Sequence, residues 1–120
     1  MIASGATEAD VARNAALVKQ RLGFYASTPT YRAVFEHHGL GAVADELHQL
    51  SKAGKWREMV ELVSDDILAT FATVATYDRL GEALAERWGG VLTTMHVDLV
   101  AELDAQADVL RALVARLHAA

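Results

Sequence analysis

Cysteine is absent from this chain, which excludes a disulfide framework and a thiolate metal site. Proline occurs once, at Pro29, so eight glycines supply most of the punctuation between elements. Positive charge is the minority: 11 Lys and Arg face 16 Asp and Glu, for a net charge of −5. That balance argues against nucleic acid and anionic membranes as partners. No apolar run approaches the roughly 20 residues of a membrane span. The opening "MIASGATEAD" lacks the basic and apolar regions of a secretory signal, so a cytoplasmic protein is expected. No P-loop, dinucleotide fingerprint, nucleophile elbow or zinc motif is present, so the sequence names no catalytic residue and no metal ligand.

What is there reads as helix. At 120 residues the chain has room for one domain, and residues 1–120 are expected to form a single unit. Thr7 is a helix N-cap with Glu8 and Asp10 in the first turn, and Val11, Ala15, Val18, Leu22 and Tyr25 follow on one face. Thr28 caps a second, short helix with Pro29 at its first position, ended by Gly39 and Gly41. Leu40, Val43, Leu47 and Leu50 mark a third, closing near Gly54. Trp56, Met59, Val60 and Val63 mark a fourth. Ser64 opens a fifth that carries Ile67, Leu68 and Phe71. Thr76 caps a sixth with Leu80, Leu84 and Trp88, stopped by Gly89 and Gly90. Asp104 caps a last helix whose inward residues are Val109, Leu110, Leu113, Val114 and Leu117.

One stretch breaks the pattern. "VLTTMHV", Val91 to Val97, is rich in β-branched residues and follows a Gly-Gly break, so it is expected as a strand. The expected fold class is therefore mainly α, six or seven helices plus about one strand. A single strand cannot satisfy its own backbone groups, which makes this segment anomalous. The alternative is one long helix, since Leu92, His96, Leu99, Leu103, Ala107, Leu110, Val114 and Leu117 recur at spacings of three and four.

The segment "GFYASTPTYRAVFEHHG", Gly23 to Gly39, gathers two tyrosines, an arginine and two histidines around a Ser-Thr-Pro turn. Two readings stand side by side. In one, Arg32 makes a bidentate contact to a phosphate or carboxylate of a ligand. In the other, Thr28 and Pro29 start a helix, Tyr25 and Tyr31 pack, and Arg32 pairs with an acid such as Glu36. His37 and His38 are adjacent, point about 100° apart on a helix, and lack the spacing of a helical metal pair. Glu46 and His48 add no ligand spacing. His96 lies within the expected strand, where it or Asp98 would face a pocket, or where His96 is partly buried and neutral.

The span from Leu22 to Gly90 resembles the C-terminal part of the luciferase-like monooxygenase superfamily, and most of all its deazaflavin-dependent oxidoreductases. The resemblance rests on Phe24-Tyr25-Ala26-Ser27-Thr28-Pro29-Thr30-Tyr31-Arg32, the His38-Gly39 turn, Leu47-His48-Gln49-Leu50-Ser51, Trp56 with Met59, and the acidic helix start at Asp65-Asp66. Its last 25 or so residues carry the least of it. The family fold is a (β/α)₈ barrel of about 250 residues. The resemblance thus implies the C-terminal portion of such a barrel, not a complete one. It places "MIASGATEAD" just after the seventh strand and makes "VLTTMHV" the eighth, with both of its neighbours missing.

It also implies a deazaflavin coenzyme or FMN as the cofactor, and redox chemistry on it. Gly5 and Thr7, in the loop before the first helix, and Tyr31 and Arg32, in the corner, are the implied border of the cofactor pocket. A chain without the other strands is expected to be a fragment or remnant, inactive and without cofactor by itself. Its expected partner is a second copy or a separate chain supplying the rest of the barrel. The alternative function is a non-enzymatic helical homo-oligomer or interaction module.

Overall fold

A computed structural model describes residues 1–97 and 107–119. Seven α-helices and one short two-stranded sheet make up these residues, so the fold is mainly helical and is not a closed barrel. The chain divides into two compact units, residues 16–71 and residues 1–15 with 72 onward.

The first of these is all helical. It holds the later turns of α1 (Glu8–Ala26), a 3₁₀ turn (Pro29–Tyr31), α2 (Arg32–His37), α3 (Gly41–Lys52), α4 (Trp56–Leu62) and α5 (Asp65–Phe71). Its core is Leu22, Ala26, Phe35, Ala44, Leu47, Met59 and Val63. Each buried leucine there stabilises the unit by roughly 1.5–3 kcal/mol. Local signals place the helix starts. Pro29 fixes the first position of the 3₁₀ turn, and the Ser64 hydroxyl accepts the Ile67 N–H at the head of α5. Two expected core positions differ. Ala26, not Tyr25, closes the buried stripe of α1, and Trp56 is 52% exposed at the start of α4. Met59 and Val63, three and seven residues on, take the inward face instead.

The second unit is built on a parallel strand pair, β1 (Ile2–Gly5) and β2 (Thr73–Thr76), in the register Ile2 with Thr73 through Gly5 with Thr76. β1 leads into the first turns of α1, and β2 leads into α6 (Tyr77–Trp88); α7 (Ala107–Ala119) packs on α6. Ile2 and Ala75 share one sheet face by the register and meet a cluster of Leu80, Leu84 and Leu113. Arg116 of α7 donates to the Asp78 carbonyl in the first turn of α6, and Arg87 donates to the Ala72 carbonyl at 2.9 Å.

The strands therefore lie elsewhere than expected. Val91 to Val97 forms neither a strand nor a helix. Gly90, at φ +73°, ends α6, and the Trp88 carbonyl accepts the N–H groups of both Val91 and Leu92. Among the described residues no strand lies beside the segment; Met95 and Val97 pack on the Leu80, Leu84 and Leu113 cluster. Of its β-branched residues only Val97 packs inward, while Val91, Thr93 and Thr94 are exposed. His96 is exposed, not partly buried. The first residues do not follow a strand but form one, and its neighbour is Thr73–Thr76. Asp98, Leu99, Leu103 and the expected cap Asp104 lie outside the described residues.

Candidate functional site

Gly5 and Thr7 belong to the strand-containing unit, Tyr31 and Arg32 to the helical one, and each pair is built by its own neighbours. The first pair sits where β1 turns into α1. A Cβ on Gly5 would lie 2.4 Å from the Asp10 Cβ and 2.8 Å from backbone atoms of Asp10 and Val11. Only glycine lets the first turn of α1 come this close to the strand end. Thr7 and Asp10 then form a reciprocal cap. The Thr7 N–H and hydroxyl donate to Asp10 Oδ2 at 3.1 and 2.8 Å, and the Asp10 N–H donates to the Thr7 hydroxyl at 3.2 Å. Arg13 adds an ion pair to Asp10 at 2.6 Å.

These contacts decide the electrostatics of the strand ends. The Thr7 hydroxyl, and next Arg13, hold the Asp10 carboxyl below the usual carboxylate range. The Thr76 hydroxyl does the same for Asp78 at the head of α6, with Arg116 and Arg79 assisting. Both helix N-termini that follow the strand pair thus already face a carboxylate of their own first turn, the charge their dipoles favour. Beside them lies a cavity of about 350 Å³ lined by Glu8, Val11, Val74, Thr76, Arg79 and Glu86 among others. An incoming phosphate would meet carboxylates here, and Thr7 has both of its donors engaged.

The second pair sits in the Ser-Thr-Pro corner. Arg32 Nε and Nη2 donate to the two oxygens of Asp45 at 2.7 and 2.9 Å, and Nη1 donates to Glu36 at 2.6 Å. This bidentate geometry raises the Arg32 pKa further, chiefly through Asp45, and lowers that of Asp45 through Arg32. One guanidinium against two carboxylates leaves a surplus negative charge. His48 Nδ1 hydrogen bonds the Ser27 carbonyl at 2.8 Å, so the ring carries its proton on Nδ1 when neutral. Tyr31 stands edge-on to Tyr25, with ring centroids 5.2 Å apart, and is exposed.

The sequence signalled Glu36, one helical turn from Arg32, but not Asp45 or His48. Those lie 13 and 21 residues from their partners, and only the packing of α3 brings them in. Their spacing of three on α3 is the trace they leave in the sequence. The fit to an anionic cofactor group is thus poor at Thr7 and at Arg32, whose donors already serve the chain's own carboxylates. Among the described residues no three His, Asp or Glu side chains converge to hold a metal ion, and no helix is long and apolar enough to cross a membrane.

Comparison with known proteins gives these turns a context. Residues 1–94 match the model of the luciferase-like monooxygenase family. An uncharacterized protein of Mycobacterium bovis is 42% identical over 92 residues, which is 77% of this chain and 27% of that protein. Uncharacterized proteins of two Mycobacterium tuberculosis strains match to the same extent. The chain thus spans about a quarter of the length of these relatives. No solved structure matches it.

Proposed function

Because the chain belongs to the luciferase-like monooxygenase family, we propose that it serves a flavin- or deazaflavin-dependent oxidoreductase, as the part that carries two adjacent strand–helix turns of a barrel. The observation that carries this reading is the β1–β2 pair. The strands are parallel, their carboxyl ends are level at Gly5 and Thr76, and each turns directly into a helix. In (β/α)₈ enzymes the reactive face is built from such turns. The resemblance of the Ser-Thr-Pro corner to the deazaflavin-dependent branch favours a deazaflavin over FMN.

Bound reduced cofactor would supply the redox chemistry, by hydride transfer or oxygen activation. This chain's residues shape the border. Gly5 admits α1 to the strand end, and Thr7 and Asp10 lock the turn. Arg32 positions the Ser-Thr-Pro corner rather than gripping a phosphate. Holding the cofactor falls to other strands, so in this reading the chain alone is inactive and works in a larger assembly. Association is further favoured by exposed apolar side chains at Val91, Leu92 and Val114.

The test combines two measurements. Material isolated from its own host is weighed by native mass spectrometry, and the purified chain is titrated with FMN and with a 5-deazaflavin by fluorescence. The reading expects an assembly that carries the cofactor and a chain that alone binds neither tighter than about 1 µM, since little of the ligand would be enclosed. Tight binding by the lone chain, or an assembly from the host without any flavin, overturns it.

A further inference from the structure

We draw no further inference here: the strongest candidate, the apolar cavity of about 470 Å³ that Trp88, Leu92, Met95, Leu113, Val114 and Leu117 line between α6, the segment after it and α7, carries none, because nothing in the structure shows what covers it.

Discussion

Asp45 holds Arg32 through both carboxylate oxygens, at 2.7 and 2.9 Å, across 13 residues of sequence. Hydrogen bonding from Arg32 lowers the Asp45 pKa from its ordinary value of 3.8. Asp10 and Asp78 are lowered likewise, each first by a threonine hydroxyl. An unfolded chain binds protons on these groups at about pH 4, where the folded chain still resists them. Their contribution is therefore present above that pH and is lost as pH falls through the depressed folded values. The melting temperature should drop on acidification below about pH 4, and Asp45→Asn should flatten that part of the curve. Thermal melts from pH 6 to about pH 2 measure it. A parent and variant with parallel curves would show that the Arg32 pair is not maintained in solution.

Gly5→Ala should destabilise the strand-containing unit. Its methyl group would lie 2.4 Å from the Asp10 Cβ and 2.8 Å from backbone, neither of which can swing aside. Separating α1 from the strand should cost about 1–3 kcal/mol, the usual range for overpacking. Chemical denaturation would record a lower midpoint. A neutral result would mean that α1 does not sit this close to β1.

Leu47 and Trp56 reverse the ordinary expectation that the larger aromatic matters more. Leu47 is fully buried in the helical core, whereas Trp56 is half exposed. Leu47→Ala should cost about 2–5 kcal/mol. Trp56→Ala should stay within about 0.5 kcal/mol, as surface substitutions do. Equal losses from the two, in the same denaturation assay, would place Trp56 in a contact that this structure lacks.

The helices were legible in the sequence because their signals are local. Thr7 with Asp10, Pro29 and Ser64 sit within one turn of the helices they begin, whereas the Thr28 hydroxyl does not cap as expected but donates back to the Phe24 carbonyl. The strands were not. Ile2–Gly5 reads IASG, with one β-branched residue, and becomes a strand only because Thr73–Thr76 lies beside it. Val91 to Val97 has the composition of a strand and, among the described residues, no neighbour to pair with. A strand is a property of two segments, and no window on one of them contains the other. The same reason hid Asp45. The sequence offered Arg32 either a ligand or Glu36, and the packing of α3 added a second carboxylate that alters what the corner can bind.

Asn14 shows how the edge of the strand pair is managed, and it yields the last expectation. The Thr73 N–H donates to the Met1 carbonyl at 3.0 Å. In a parallel ladder alternate residues turn to the same neighbour, so Ala3 and Gly5 follow Met1 toward β2, while Ile2 and Ser4 turn to the outer edge. There the Ser4 carbonyl takes a hydrogen bond from Asn14 Nδ2 at 2.7 Å, and Asn14 itself is only 8% exposed. A side chain of α1 thus stands where the N–H of a further strand would otherwise come. Asn14→Ala should leave the Ser4 carbonyl unpaired in a buried setting, at a cost of about 1–3 kcal/mol. It should also free that carbonyl for another chain, because an open strand edge recruits a partner. Denaturation measures the first effect, and light scattering after size exclusion at matched micromolar concentration measures the second, with the variant expected to be more associated than the parent. A variant as stable and no more associated than the parent would mean that Asn14 does not guard this edge.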